Sequence, residues 1–264
     1  ATNASLNDPS SVAVDQLGNL FIADTANNRI RRVDANSQII TTFAGNGMAA
    51  FSGDGMLASQ ASLNQPTAIL FDKTGNLLIA DSGNNRIRRI NLSTSIITTI
   101  AGDGNSSILN APSGLAVDKL GNILISDTGN NRIRRLDLTT STISTIVGDG
   151  RSGFQGDGAL AINASLNSPF GLTVDGNDDL FIADTANHRI RRVDSITNII
   201  STIAGNGTRA YLGDGSLATN SSLNAPKGVS FDLMGNLQIA DTGNTAIRAI
   251  KGVSNDQIQV VTIA

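Results

Sequence analysis

The stretch IADTANNRIRRVD at residues 22–34 recurs along the chain, and this recurrence decides the fold. Taken once, it could be a basic nucleic-acid strand or an acidic metal loop. The other copies are IADSGNNRIRRIN at 79–91, ISDTGNNRIRRLD at 125–137, IADTANHRIRRVD at 182–194 and the weaker IADTGNTAIRAIK at 239–251. Five copies in 264 residues indicate a repeat protein, in which one supersecondary unit is stacked several times.

A proline opens each repeat, and successive prolines are 57, 46, 57 and 57 residues apart. The repeats are therefore 9–65, 66–111, 112–168, 169–225 and 226–264. Each holds four short runs rich in Val, Ile, Thr and Phe, which in the first repeat are SVAVD, NLFIAD, RIRRVD and QIITTFAG. Turn residues separate the runs, and no sustained helical periodicity is present. Four antiparallel strands per repeat are typical of the blade of a β-propeller.

The sequence thus predicts an all-β protein, a single β-propeller domain over residues 1–264 with five four-stranded antiparallel blades. The alternative is that these are five blades of an incomplete six-bladed ring. The first residues, ATNASLNDP, match AINASLNSP at 161–169 within a later repeat. The chain therefore begins part-way through a repeat, and we expect it to be a module of a longer protein.

The repeat pattern PxGxAVDxxGNLxIADTxNxRIRRVD resembles the NHL repeat, and the match covers essentially the whole chain. In the third repeat the matching residues are Pro112, Gly114, Val117, Asp118, Gly121, Asn122, Ile125, Asp127, Asn130, Arg132 and Ile133. The connecting pattern AGNG…GDGxLAxxASLNxP is similar to linkers in bacterial and teneurin-like extracellular members. The resemblance implies a β-propeller, which usually has six blades in this family, and an extracellular or cell-envelope location.

Composition excludes several classes of function. The net charge is −3 and the pI is about 5.0, which argue against a general nucleic-acid binder. The chain has no cysteine and one histidine, so it cannot build a thiolate or histidine-rich zinc site. No run of 18 apolar residues is present, so we expect no membrane insertion. We also expect no cofactor and no bound metal.

The charges of the repeated stretch are nearly balanced, which indicates a structural role. In the first four repeats an aspartate ends the second strand and an arginine begins the third, across a four-residue turn, whereas the fifth repeat has Ala246 in place of that arginine. Residues that face each other across a hairpin can form an ion pair. The predicted pairs are Asp24–Arg29, Asp81–Arg86, Asp127–Arg132 and Asp184–Arg189. The remaining arginines should lay their stems between blades and reach aspartates of the Asp15 or Asp34 type.

The turn between the second and third strands and the linker to the next blade should share one face, where binding is usual in repeat arrays. The long linkers are 45–65, 148–168 and 205–225, whereas the link at 102–111 is about eleven residues shorter. Each long linker has an aromatic residue at the same place, which either pins the loop to the blade or contacts a partner. The candidate binding residues are Phe51, Phe154, Tyr211, Arg151, Arg209 and the turn residues Asn28, Asn85, Asn131 and His188.

Each long linker also contains a Gly-Asp-Gly sequence, with its aspartate at Asp54, Asp157 or Asp214. One carboxylate per loop is too few for calcium, which takes six to eight oxygen ligands. We expect these aspartates to form turns and cap short helices.

No nucleophile and base combination is recognisable, so the chain contains no predicted catalytic residue. The favoured function is a non-catalytic binding or scaffold module for a protein or glycan partner. One alternative is a metal-dependent enzyme of the lactonase or lyase kind, with a metal held by Asp and Asn at the propeller axis. A less favoured alternative is binding of single-stranded RNA, which requires a positive face with stacking aromatic residues.

Overall fold

The computed structural model describes residues 1–251 and 259–264. Its regular elements are β-strands and single turns of 3₁₀ helix. The strands form five four-stranded sheets, in each of which strands that follow one another in sequence are hydrogen-bonded neighbours. The fold is a β-propeller of five antiparallel blades, as predicted.

Four of the five blades begin at the proline that opens a repeat, and the fifth begins at Gly228. Blade 1 comprises β1 (Pro9–Val14), β2 (Leu20–Asp24), β3 (Arg29–Val33) and β4 (Ile40–Ala44). Blade 2 comprises β5 (Pro66–Phe71), β6 (Leu77–Asp81), β7 (Arg86–Asn91) and β8 (Ile96–Ala101). Blade 3 comprises β9 (Pro112–Val117), β10 (Ile123–Asp127), β11 (Arg132–Asp137) and β12 (Thr142–Val147). Blade 4 comprises β13 (Pro169–Val174), β14 (Leu180–Asp184), β15 (Arg189–Val193) and β16 (Ile200–Ala204). Blade 5 comprises β17 (Gly228–Phe231), β18 (Leu237–Asp241), β19 (Ala246–Lys251) and β20 (Gln259–Thr262).

The hairpin between the second and third strands of each blade has a fixed construction. The aspartate that ends the second strand is followed by a three-residue 3₁₀ turn, such as Thr25–Asn27. The next residue is left-handed, with φ between 51° and 56°. It is Asn28 in blade 1 and His188 in blade 4. Asparagine and histidine tolerate this conformation better than most residues, which explains the polar turn.

A glycine directs each linker across the hairpin turn of the blade that it leaves. Gly45 has a φ of 85°, and a Cβ there would collide with the carbonyl oxygen of Asn28. Gly102, Gly148 and Gly205 occupy the same position in blades 2, 3 and 4. The close approach requires glycine, because any side chain would push the linker away from the turn. Turns and linkers therefore meet at the same end of each blade, as predicted.

Contacts divide the described chain into two compact units, one of Ala1–Leu115 with Leu136–Ile143 and the other of Ala116–Arg135 with Ser144–Ala264. In the first unit, Phe21 lies edge-to-face against Phe43 and Phe71, at 5.0 and 5.3 Å between ring centroids.

In the second unit, Phe181 packs against Phe231 in the same way at 5.0 Å. Each of these units buries aromatic rings between neighbouring blades, because one sheet cannot bury both of its faces alone.

A hydroxyl group joins each blade to the next within the two units. Thr25 Oγ1 donates a 2.8 Å hydrogen bond to the carbonyl oxygen of Pro66, the first residue of blade 2. Equivalent bonds run from Ser82 to Pro112, from Thr128 to Pro169 and from Thr185 to Pro226. The blade 5 counterpart, Thr242, is exposed and bonds to Ala240 of its own blade at 3.2 Å.

Candidate functional site

A buried ion pair lies under each hairpin turn. In blade 2 the side chains of Asp81 and Arg88 are both fully buried, with Nη1 to Oδ2 at 3.3 Å. Blades 4 and 5 repeat this with Asp184–Arg191 at 3.2 Å and Asp241–Arg248 at 3.4 Å. In blades 1 and 3 the arginines Arg31 and Arg134 make the same pair but are 17% and 13% exposed. The arginine is fully buried only in blades 2, 4 and 5, which are the blades that a long linker precedes.

The aspartate is paired with a different arginine from the one predicted. Asp24 and Arg29 face each other in the register of β2 and β3. However, Arg29 Nη2 donates to the carbonyl oxygen of Asn46 in the outgoing linker, at 3.2 Å. Arg31, two residues deeper on the same face, pairs with Asp24. The same correction applies to the predicted pairs Asp81–Arg86, Asp127–Arg132 and Asp184–Arg189, whose aspartates pair with Arg88, Arg134 and Arg191.

The reason is that the aspartate is completely buried whereas the first arginine of the strand lies beside the turn. A buried carboxylate needs a positive charge at its own depth, and the second arginine supplies it. Burial raises the pKa of Asp81, and the amide of Asn84, the N–H of Asn64 and Arg88 act in the opposite direction. The first arginine is left to bind linker carbonyl groups, as Arg189 Nη2 does with Asn206 at 2.8 Å.

The remaining predicted ion partners are confirmed in part. Arg32 contacts Asp34 at 3.3 Å, and Arg135 contacts Asp118, which corresponds to Asp15, at 3.1 Å. Both arginines are about one third exposed, so the pair of Arg32 with the similarly exposed Asp34 stabilises little, whereas the partner of Arg135, Asp118, is buried.

Three contacts hold a long linker on the hairpin of the next blade. In blade 2, Asp54 Oδ1 lies 2.7 Å from Nη2 of the buried Arg88. Asn84 Nδ2 donates to the carbonyl oxygen of Ala50 at 2.8 Å. The ring of Phe51 lies over the guanidinium of Arg86, 3.6 Å from its centroid, which is a cation–π contact. We call these three contacts the linker clasp.

The linker clasp recurs in blade 4. Asp157 lies 2.6 Å from Arg191, and Asn187 donates to the carbonyl oxygen of Gly153 at 2.7 Å. Phe154 lies over Arg189 at 3.7 Å. The contacts match those of blade 2 within 0.1 Å, because the two linkers share the sequence Phe-x-Gly-Asp-Gly.

Blade 5 keeps two of the contacts and weakens the third. Asp214 lies 2.7 Å from Arg248, and Asn244 donates to Ala210 at 2.9 Å. The first arginine is replaced by Ala246, so Tyr211 lies over Arg248 alone, at 5.1 Å. Its hydroxyl is 2.7 Å from Oγ1 of Thr262, which fixes the ring from the other side.

The Gly-Asp-Gly aspartates lie in turns, as predicted, since the N–H of Met56 donates to the carbonyl oxygen of Gly53, and the other two linkers have the same bond. The predicted helix capping was wrong, because the 3₁₀ helices that follow have no side-chain cap. The carboxylates of these aspartates are second counter-ions of buried arginines, in addition to any role in the turn. The sequence carried a usable signal, because the aspartate follows an aromatic residue by three positions in every long linker, and the short link 102–111 has no aromatic residue. That pattern was interpreted as turn formation and helix capping.

The three predicted aromatic residues serve as pins and also remain accessible. Phe51, Phe154 and Tyr211 are 41%, 38% and 49% exposed. A guanidinium lies over each ring, and part of each residue remains exposed to solvent. The exposed Arg151 and Arg209 lie on the same linkers, and Arg209 Nε donates to Asn224 at 2.9 Å.

The predicted turn residues have a structural role that was not anticipated. Asn28 Oδ1 accepts the N–H of Gln65, which immediately precedes the proline of blade 2, at 2.9 Å. Asn85 and Asn131 accept the corresponding N–H groups of Ala111 and Ser168. His188 Nδ1 accepts that of Ala225 at 3.0 Å, so it is a functional substitute for asparagine. The acceptor atoms are thus occupied, and contact with a partner through these residues stays a prediction.

A second concave surface lies in the second unit at the opposite end of blades 4 and 5, where sequence analysis predicted nothing. It is a cavity of about 680 Å³ between the β13–β14 turn and the β17–β18 turn. Arg192 on its wall is paired with Asp179. Leu233 and Met234 on its rim are 108% and 89% exposed.

The described residues contain no group of three or more His, Cys, Asp or Glu side chains placed to hold a metal ion. Within the same residues, no helix has the length and apolar character needed to cross a bilayer.

Three repeats of the chain match a known repeat family, and the chain is similar in sequence to known proteins. Residues 6–33, 109–136 and 166–193 match the family model of the NHL repeat. The chain is 27% identical to teneurin-1 of Mus musculus, over 95% of this chain and 8% of that protein. It is 28% identical to NHL repeat-containing protein 2 of Bos taurus, over 94% of this chain and 39% of that protein. The chain spans well under half the length of either relative.

Two solved structures have a similar fold. One is an auxiliary nutrient binding protein from Bacteroides thetaiotaomicron, with a TM-score of 0.72 at 18% identity, covering 93% of this chain and 59% of that one. The other is a streptogramin B lyase, with a TM-score of 0.65 at 15% identity, covering 99% of this chain and 70% of that one. At these identities the likeness concerns the fold alone. The chain therefore carries matches to the NHL repeat in three of its five repeats, and its five antiparallel sheets form a β-propeller.

Proposed function

We propose that this chain is a non-catalytic binding module that takes a protein or glycan ligand on the surface of its long linkers. The observation that supports this most is the setting of the aromatic rings. A guanidinium lies over each ring, and 38% to 49% of each residue remains exposed. A ring that is already fixed loses little conformational entropy on binding, which is why rigid aromatic residues dominate many binding surfaces.

The second unit offers the richest surface of this kind. Phe154 and Tyr211 are both half exposed there, and each linker adds an exposed guanidinium, Arg151 or Arg209. Aromatic and arginine side chains are the residue types that contribute most to binding energy at interfaces. Planar rings also suit the apolar faces of sugars, so both ligand classes fit this chemistry.

We further propose an extracellular or cell-envelope location. Similarity to teneurin-1 supports this proposal. The ligands to be tested are therefore secreted proteins, ectodomains and extracellular glycans.

The test is a glycan array and a panel of ectodomains, followed by calorimetry on any ligand found. The variant F51A/F154A/Y211A should bind at least about tenfold more weakly, since each lost ring contact is worth about 0.5–1.5 kcal/mol. The matched control is L17A/L120A/L233A, which removes three leucines that are 80%, 80% and 108% exposed at the other end of the blades.

Equal losses in the two triple variants would contradict the proposal, as would unchanged binding in the aromatic variant. A stoichiometric metal retained through gel filtration and detected by elemental analysis would instead support the enzyme alternative. An RNA mobility shift that weakens steeply with salt would support the nucleic-acid alternative.

A further inference from the structure

The β13–β14 turn of blade 4 has a different sequence from the matching turn of every other blade. In blades 1, 2, 3 and 5 this turn reads Asp-x-x-Gly-Asn, as at 232–236, whereas in blade 4 it reads Asp-Gly-Asn-Asp-Asp at 175–179. Asp178 adopts the left-handed conformation of the glycine that it replaces, with a φ of 72° against 79° for Gly235. The left-handed backbone position is therefore kept in blade 4, and the side chains of the turn are what differ.

The last residue of this turn changes the hydrogen bonds of the first one. In blade 5, Asn236 Nδ2 donates to Oδ2 of Asp232 at 2.9 Å, and blades 1, 2 and 3 have the same bond. Blade 4 has Asp179 in place of the asparagine, and an ionised carboxylate cannot donate. Asp179 instead accepts a hydrogen bond from Nε of Arg192 at 2.9 Å.

The first aspartate of the turn, Asp175, is thereby left with a free acceptor. Its Oδ1 accepts the N–H groups of Asn177 and Asp179, at 2.8 and 3.0 Å, as the corresponding oxygen does in blade 1. Within residues 1–251 and 259–264, no group donates to its Oδ2. Asp175 lines the cavity between the β13–β14 and β17–β18 turns, so this oxygen is an acceptor for a ligand in that cavity.

Gly176 leaves this wall of the cavity without a side chain. The other blades have Gln16, Lys73, Lys119 or Leu233 at the same position. The backbone does not require glycine here, because its φ is not left-handed and a Cβ would meet no atom within 4 Å. The cavity has a volume of about 680 Å³, which lies in the range of small-molecule sites. A small molecule is therefore the kind of ligand whose size fits.

The other wall of the cavity supplies apolar surface. Phe231 is half-buried, and its ring packs edge-to-face against Phe181 at 5.0 Å between centroids. Leu233 and Met234, on the same turn of blade 5, are almost completely exposed. Covering such surface with the hydrocarbon part of a ligand removes it from water, which favours binding.

The charges of the lining favour a cation. The lining contains two aspartates, Asp175 and Asp232, and one arginine, Arg192. Arg192 is already neutralised by Asp179. The hydrogen bond from the side chain of Asn236 holds the pKa of Asp232 below its ordinary value, so this group is ionised at neutral pH. The uncompensated charge in the cavity is negative, which attracts a positively charged ligand.

We propose that this cavity binds a small organic amine in its ammonium form. The ammonium group donates to Oδ2 of Asp175, and the hydrocarbon part lies against Phe231, Leu233 and Met234. A charge-assisted hydrogen bond of this kind is roughly twice as strong as a neutral one. The site is separate from the proposed binding function, because it lies at the end of blades 4 and 5 opposite the linkers.

The test uses phenethylamine, with phenethyl alcohol as an uncharged probe of the same shape. Each is titrated at pH 7 into the ¹⁵N-labelled chain, and the amide chemical shifts are followed by NMR. The amine should saturate with a Kd on the order of 1 mM, as for other ligands of this size, and should shift the amides of 174–177 and 231–235. The alcohol should bind at least about tenfold more weakly. Equal binding of the two probes, or shifts centred on another part of the chain, would overturn the proposal.

The variant Asp175→Asn removes the charge but keeps the Oδ1 acceptor of the turn, so it should weaken amine binding at least about tenfold. The matched control is Asp15→Asn in blade 1, where Asn19 already donates to Oδ2 of the aspartate, and it should leave amine binding unchanged. Undiminished binding in Asp175→Asn would contradict the proposal. If that variant does not fold, the comparison of the two probes on the unaltered chain still decides. The variant F51A/F154A/Y211A should bind the amine normally, which keeps failure of this site distinguishable from failure of the proposed function.

Discussion

Replacement of Arg88 by methionine would leave the buried carboxylate of Asp81, under the blade 2 hairpin, without its arginine partner. Arg88 and Asp81 are both fully buried and 3.3 Å apart, and Asp54 is the second counter-ion at 2.7 Å. Methionine retains the apolar stem of arginine but removes the charge. Asp81 would then be a buried carboxylate with only the hydrogen bonds from Asn84 and Asn64 to stabilise it.

Such a change is expected to lower the free energy of unfolding by about 3–5 kcal/mol, the usual cost of breaking a buried ion pair on one side. Removing both charges, in Asp81→Asn with Arg88→Met, should cost less than half as much because no isolated charge remains. Asp54 is 39% exposed in its side chain and can be hydrated, so Asp54→Asn alone should cost no more than about 1 kcal/mol.

The measurement is urea unfolding at pH 7 and 25 °C, followed by circular dichroism. Arg89→Met is the matched control, because Arg89 is the next residue of β7 and is only half-buried. It should lower the free energy of unfolding by less than about 1 kcal/mol. The reasoning is refuted if Arg88→Met is as mild as Arg89→Met, or if the double variant is no more stable than Arg88→Met.

The remaining predictions concern the pins, the junctions and the single histidine. Phe154→Ala should lower stability by only about 0.5–1 kcal/mol yet speed amide exchange in residues 148–168, measured by mass spectrometry; unchanged exchange would show that the ring does not hold the linker. Thr185→Val removes the bond to Pro226 and should cost about 1 kcal/mol, whereas Thr242→Val, at an exposed site, should cost nothing measurable in the same urea assay. Burial, Arg209 and Arg189 lower the pKa of His188 below 6.5, so the unfolded chain takes up this proton first and stability should fall as the pH drops below about 6.5. His188→Asn should remove that part of the pH dependence, and an identical dependence in both proteins would exclude His188 as its source.

The fold was predictable because each repeat encodes it locally. The proline intervals marked the blade boundaries, and the alternation of β-branched runs with turn residues marked the four strands. Each of these signals is weak in a single repeat, but all five repeats show the same pattern, which makes the prediction of the fold strong. The shared location of turns and linkers also followed, because strand direction alternates within an antiparallel sheet.

The contacts of individual charged side chains were less predictable. Arg29 and Arg31 lie on the same face of β3, and both can approach Asp24. The choice between them depends on how deeply Asp24 is buried and on the carbonyl that Arg29 finds in the linker. Neither quantity follows from strand register, which is why the predicted pairs were displaced by two residues.

The Gly-Asp-Gly aspartates show a related limit. Asp54 and Arg88 are 34 positions apart, and the contact exists only because the linker crosses the hairpin of the following blade. Turn chemistry is local and could be inferred, whereas this pairing needed the path of the linker in three dimensions.

The hydroxyl bonds between blades have a consequence for how such a chain can lengthen. Their acceptor is a main-chain carbonyl, which every amino acid possesses, so a junction does not require two side chains to change together. An unequal crossover that duplicated one 57-residue repeat would create a new junction already equipped with both partners. A repeat can therefore be duplicated at any of these boundaries, and the new pair of adjacent blades would have this hydrogen bond from the start.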